Sequence, residues 1–204
     1  MLLRNITKKN GKAYTYGDVT WKGLLTGFDG KTIEYDAQGN PTSYLGHSLT
    51  WEKGRRLKFF DGNKYTYNAD GKRTSKTVNG IKHNYILDGE KILQEYWTEK
   101  NSEHFIIPLY NNEDIVCGIL YNSTPYYFVK NLQGDIIEIV NEHAISIVKY
   151  SYDAWGVPNI DYDNSNCSIS TINPFLYRGY YYDHEIQIYY LQRKEIFKMI
   201  EKKQ

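Results

Sequence analysis

The sequence predicts an all-β protein built of consecutive antiparallel hairpins, and three observations carry that expectation. The 204 residues include 21 Tyr against 7 Phe and 4 Trp, a composition that favours strands and buries rings with a polar tip. Asp-Gly or Asn-Gly stands between β-rich runs at Asp29-Gly30, Asp61-Gly62, Asp70-Gly71, Asn79-Gly80 and Asp88-Gly89. A type I′ hairpin turn needs positive φ at both central residues, and these dipeptides supply it. The third pattern is Tyr, then Asp or Asn, Ala, any residue and Gly. It is written at Tyr35-Asp-Ala-Gln-Gly39, Tyr67-Asn-Ala-Asp-Gly71 and Tyr152-Asp-Ala-Trp-Gly156. Each copy sets a strand-favouring aromatic before a turn residue and a Gly that takes positive φ without steric cost.

Taken in order, residues 14–45 read as short strands punctuated at Gly17-Asp18, Asp29-Gly30 and Gln38-Gly39-Asn40-Pro41. Ser48–Trp51 and Arg56–Phe60 follow as strands of a hairpin series. The second half has longer strands at Glu103–Tyr110, Val116–Tyr121, Tyr126–Lys130, Asp135–Val140 and Ile145–Tyr152. Pro108 places the first of these at an edge or a bulge, because proline cannot donate to a ladder. In the last, Val148, Tyr150 and Tyr152 share one face and Lys149 and Ser151 the other, a half-buried strand. Residues 157–173 are rich in Asn, Asp and Ser without periodicity and read as one longer surface loop. Beyond the strand-like Pro174–Asp183 and Ile188–Leu191, the Lys-rich residues 193–204 carry Ile196, Met199 and Ile200 at helical spacing. They read as a short amphipathic helix or a frayed, disordered tail. The domain expectation is therefore 1–192 for the β region and 193–204 for a divergent tail.

Bulk properties exclude several classes. With 25 basic and 24 acidic side chains the formal charge is +1, so no global field draws the chain to nucleic acid or an anionic membrane. No window approaches the length of a transmembrane helix, and the N-terminal apolar run is too short for a signal peptide, leaving localisation open. Cys117 and Cys167 have neither CxxC spacing nor a His cluster, which argues against zinc. They form one disulfide or remain two core thiols.

Six segments, in order, resemble the carboxy-terminal core of RHS/YD-repeat proteins of the Gram-positive wall-associated and polymorphic-toxin type. They are Trp51-Glu-Lys-Gly-Arg-Arg-Leu57, Tyr65 to Gly80, Asn131-Leu-Gln-Gly-Asp135, Tyr150-Ser-Tyr-Asp-Ala-Trp-Gly156, Asn173-Pro-Phe-Leu-Tyr-Arg-Gly-Tyr-Tyr-Tyr-Asp183 and Tyr189-Tyr-Leu-Gln192. The resemblance covers roughly residues 12–192. It implies a curved, spiralling strip of hairpins forming part of a hollow β-shell, which in the family encloses a C-terminal toxin before contact-dependent delivery. It also implies partners: the remainder of such a shell or a toxin polypeptide, with self-association through open sheet edges. Two departures stand out. Glu185-Ile-Gln-Ile188 replaces the family's Glu-Thr-Gly-Leu, removing the turn Gly. The family's continuation through an Asp-Pro segment associated with self-cleavage is replaced by Arg193 to Gln204, and no Asp-Pro occurs. The expectation is a truncated or frame-shifted core without toxin or release site.

Site candidates are weak by comparison. His47, His83, His104, His143 and His184 lack metal-ligand spacing and read as surface or turn residues. Asp183-His184-Glu185 sets three ionisable groups side by side, but strand neighbours point to opposite faces, so a solvated turn is expected. Arg55, Arg56 and Arg73 near turns read as a solvated charge set. No GxSxG elbow, GxGxxG or P-loop occurs, so no catalytic residue, cofactor or metal is assigned. The expected function is a non-enzymatic shell segment. The alternative is a carbohydrate- or cell-surface-binding module in which exposed Tyr126, Tyr127, Trp155, Tyr180, Tyr181 and Tyr182 stack on sugars. A third reading, an enzyme remnant with residual self-cleavage, is weaker.

Overall fold

The computed structural model describes residues 5–190, so the tail at 193–204 and Leu191-Gln192 lie outside the described residues. Within residues 1–192, the chain divides into two compact units, with the boundary between Tyr65 and Thr66.

In the first unit, β1 (Lys8–Lys9), β2 (Lys12–Thr15), β3 (Gly27–Phe28) and β4 (Lys31–Thr32) pair antiparallel in sequence order. β5 (Glu34–Tyr35), β6 (Pro41–Tyr44), β7 (His47–Glu52), β8 (Arg56–Phe60) and β9 (Asn63–Tyr67) do the same, with β9 running on through the boundary. Phe28, Ile33, Leu49, Leu57, Phe60 and Tyr65 are its buried apolar side chains.

In the second unit a ladder of nine strands follows chain order. It comprises β10 (Arg73–Val78), β11 (Ile81–Asp88), β12 (Lys91–Glu99), β13 (Ser102–Tyr110), β14 (Val116–Tyr121), β15 (Thr124–Lys130), β16 (Ile136–Val140), β17 (Ser146–Tyr152) and β18 (Pro158–Asp163). A four-residue helix, α1 (Ile169–Ile172), precedes a separate hairpin of β19 (Tyr181–Asp183) and β20 (Ile188–Tyr190). Alternation along the strands builds one core from Ile106, Ile119, Ile136, Ile139 and Val148, which α1 and the following segment cover with Ile169 and Leu176. Val148 and Tyr150 are buried and Lys149 and Ser151 exposed, as their alternation predicts.

The turns show why the Asp/Asn-x-x-Gly motif recurs. Asp29-Gly30, Asp61-Gly62 and Asn79-Gly80 have positive φ at both residues, the type I′ signature. Asp70-Gly71 and Asp88-Gly89 differ, with positive φ at Gly alone. Asp70 lies inside a second turn type in which the first residue staples the loop. The Asp153 carboxylate accepts from the backbone N–H of Trp155 at 2.8 Å and of Val157 at 3.0 Å. Its carbonyl takes the N–H of Gly156, whose φ is 83°. Asp36 with Gly39 and Asn68 with Gly71 repeat this arrangement. So do Asn111, Asn131 and Asn141, where Asp114, Gly134 and Ala144 occupy the left-handed position.

One expectation is corrected. Residues 157–173 are not one loop: they contain β18 and α1, and Ile169 is fully buried. β18 was hidden because, among the described residues, it pairs with β17 alone and is mostly exposed, leaving no apolar alternation to read. Of the two placements expected for Pro108, edge or bulge, the structure shows the second: it sits in an interior strand beside a bulge. It is tolerated because the β12–β13 register ends at Glu95↔Ile106, two residues earlier, and the β13–β14 ladder bulges just beyond it.

Candidate functional site

The densest set of ionisable side chains among the described residues lies in the second unit, where the β19–β20 hairpin meets β10, β11 and β12. Asp183, the last residue of β19, is buried with Arg73 and Lys76 of β10. Arg73 Nη1 donates to Asp183 Oδ2 at 2.6 Å, and Lys76 Nζ donates to Asp183 Oδ1 at 3.0 Å. Lys76 also reaches Glu185 Oε2 at 3.1 Å. The Arg73 guanidinium lies 4.1 Å from the Tyr190 ring centroid and 5.2 Å from that of Tyr181, so aromatic faces take up part of its charge. The Arg73 backbone N–H donates to the Tyr190 hydroxyl at 3.0 Å, tying the end of β20 to the start of β10.

A second carboxylate extends the network. Glu95 on β12 accepts from the Tyr181 hydroxyl at 2.8 Å and pairs with His83 Nδ1 at 2.8 Å, while the Tyr85 and Tyr181 hydroxyls lie 3.0 Å apart. His83 in turn starts a run of stacked rings. Trp97 lies 4.6 Å from His83 and 5.3 Å from His104, and Tyr121 follows at 6.3 Å from His104.

The electrostatics follow from this packing. Burial works against the Asp183 charge, but Arg73 and Lys76 outweigh it and hold the carboxyl below its usual range. Glu95 is likewise held low against its burial by His83, Lys76 and Tyr181. Glu185 moves the other way: burial, then the neighbouring Asp183 charge, push it up. Burial lowers His184, whose Nε2–H donates to the Asn173 carbonyl at 2.9 Å. Burial also opposes the charges of Arg73 and Lys76, yet Asp183 holds both cations charged well past their ordinary range. The cluster therefore matches its own charges internally.

No protein-family model matches the chain. Over 180 residues, 83% of this chain, it is 31% identical to the tRNA3(Ser)-specific nuclease WapA of Bacillus spizizenii and to the tRNA nuclease WapA of Bacillus subtilis strain 168. The chain spans 8% of the length of these curated relatives. Among solved structures it resembles a chain of the TcdB2-TccC3-Cdc42 complex with a TM-score of 0.58 at 14% identity, over 88% of this chain and 11% of that one. A Photorhabdus luminescens Tc holotoxin pore with a mutated TccC3 gives a TM-score of 0.59 at 16% identity, over 89% and 11%. The fold is of the RHS type.

Two site expectations change on this RHS-type scaffold. The Asp183-His184-Glu185 triplet is not a solvated turn. Strand alternation ends at Asp183, and the turn after it brings the Glu185 carboxylate back to the same ammonium. Arg73 is not a solvated charge either, being buried against three tyrosines. The histidines divide. His143 and His47 are exposed, whereas His83, His104 and His184 take part in the interior contacts described above.

The six proposed stacking rings also divide. Trp155 (57% exposed), Tyr127 (42%) and Tyr180 (39%) face solvent. Tyr126 is half-buried with its hydroxyl 3.7 Å from Cys167 Sγ, and burial pushes its pKa up to about 12. Tyr181 and Tyr182 are 5% and 4% exposed and cannot stack on a ligand. Tyr181 is spent on Glu95 and Tyr85, and Tyr182 packs 4.7 Å from Tyr189 and 5.0 Å from His184. Cys117 and Cys167 are both free thiols. No group of His, Cys, Asp and Glu among the described residues could hold a metal ion, and no helix among them is long and apolar enough to cross a membrane.

Proposed function

We propose that this chain is a non-enzymatic structural segment of an RHS-type toxin protein, and that the Arg73–Lys76–Asp183 cluster is a clamp. The observation that carries this reading is the internal matching of the cluster: every cation has a buried carboxylate or an aromatic face, and both carboxylate oxygens of Asp183 are occupied. A catalytic acid or base needs a proton acceptor or donor site open to substrate, whereas these groups hold the C-terminal hairpin on β10–β12. The nuclease named in the curated relatives belongs, in this reading, to portions of those proteins outside the span matched here.

The experiment is intact-mass measurement of the purified chain after prolonged incubation, alone and with total tRNA and magnesium. An unchanged protein mass and intact tRNA are expected. Cleavage of the chain at a defined bond, or tRNA cleavage lost on Asp183→Asn, overturns the proposal.

A further inference from the structure

We propose that the hollow beside the Arg178–Gly179 turn is a binding site for an anion, a carboxylate or a phosphate monoester, carried on an apolar ring or chain. This role goes beyond the structural reading above, and the hollow shares the Tyr181 and Tyr190 rings with the clamp. The hollow has a volume of about 490 Å³, within the range of small-molecule sites. Tyr110, Val116, Phe175 and Tyr180 supply an apolar and largely aromatic lining, with Lys130 and Arg178 among the polar groups.

The charge distribution sets the ligand class. Lys130 Nζ donates to the Val116 carbonyl, a neutral acceptor that uses one of its three donors. Among the described residues no carboxylate lies within ion-pair distance of Lys130 or of the exposed Arg178, whose guanidinium sits 5.3 Å from the Tyr177 ring centroid. Lys130 is half-buried, and that burial pulls its pKa down. A desolvated ammonium with only a neutral partner gains most from an incoming anion.

Of the acidic residues that line the hollow, Asp114 is already held by Lys91. The lining cations without a carboxylate partner are thus Lys130 and Arg178, which take the anion, while the apolar body packs on the aromatic lining that includes Tyr110 and Phe175. Arg178 and Gly179 are consecutive left-handed residues, and a Cβ on Gly179 would stand 3.7 Å from Lys130 Nζ and 3.5 Å from Val116 Cγ1.

The test is titration of the full chain with phenylacetate, phenyl phosphate and, as the neutral control, benzyl alcohol, followed by NMR shifts of Tyr and Lys resonances. Saturable binding of one or both anions and none of benzyl alcohol is expected, with affinity reduced at least tenfold in Lys130→Met and several-fold in Arg178→Asn. Which anion saturates assigns the headgroup. Arg178→Asn, at an exposed position that Asn tolerates in the left-handed region, gives the reading if Lys130→Met fails to fold. Absence of saturation by both anions, equal binding of benzyl alcohol, or undiminished affinity in a folded variant overturns the proposal.

Discussion

Arg73 and Asp183 are 110 positions apart in the sequence and meet through a 2.6 Å charge-assisted hydrogen bond, each almost fully buried. Nearly all other pairing in the second unit joins strands consecutive in the chain. This contact instead ties the first strand of the ladder to the separate hairpin that ends the described residues, and Lys76 doubles it from the same strand.

Removing the shared acceptor strands two buried cations. Asp183→Asn keeps the shape and deletes the charge, and is expected to destabilise the second unit by about 3–5 kcal/mol. Urea unfolding followed by tyrosine fluorescence measures it. Glu185→Gln, whose carboxyl is already pushed towards its neutral form, is expected to cost far less.

Stability falls as pH falls, in two steps. His184 has a depressed pKa in the folded chain. Its contribution is present above the ordinary imidazole value near 6.5 and is lost as pH drops below it. Asp183 and Glu95 are also held low, so their contribution is lost below the ordinary carboxylate range, from about pH 4 downward. Glu185, held high, opposes this with a gain on acidification. Thermal midpoints measured from pH 8 to 3 are expected to decline first near 6 and then steeply below 4. Asp183→Asn is expected to flatten the second decline.

The turn glycines are not equivalent to their stand-ins. A Cβ at Gly156 would sit 2.8 Å from the Tyr177 ring in a backbone with φ of 83°, so Gly156→Ala is expected to cost about 2–3 kcal/mol. The reverse change should help where an L-residue occupies the left-handed region. Ala144 (φ 57°) and Gln187 (φ 56°) do so, and Ala144→Gly and Gln187→Gly are each expected to stabilise by about 1 kcal/mol. Denaturant midpoints read all three.

Deleting mass from the core gives the ordinary penalty. Ile139, fully buried between Val148 and Phe128 by its registers, is expected to cost about 2–5 kcal/mol as Ile139→Ala.

What the chain makes legible, it makes legible locally. Tyr150 and Tyr152 announce a strand by alternation, and Asp153 with Gly156 announces its reversal, because both signals act within five residues. The Gln187 turn closes despite lacking Gly, since the Asp183 carbonyl accepts from both Ile186 and Gln187. The clamp was not legible. Arg73 and Lys76 are three apart, a spacing that puts strand neighbours on opposite faces, and nothing near either residue points to Asp183. Only the run Tyr180-Tyr-Tyr-Asp183, too aromatic for a solvated turn, hinted that this carboxylate belonged inside.

A ladder whose neighbours in space are neighbours along the chain has low contact order and zips quickly, one hairpin upon the last. The Asp183 clamp obeys a different clock, because its 110-residue loop must close before any contact rewards it. Refolding should therefore show an early phase of strand formation that Asp183→Asn leaves untouched, and a later one that it slows or abolishes.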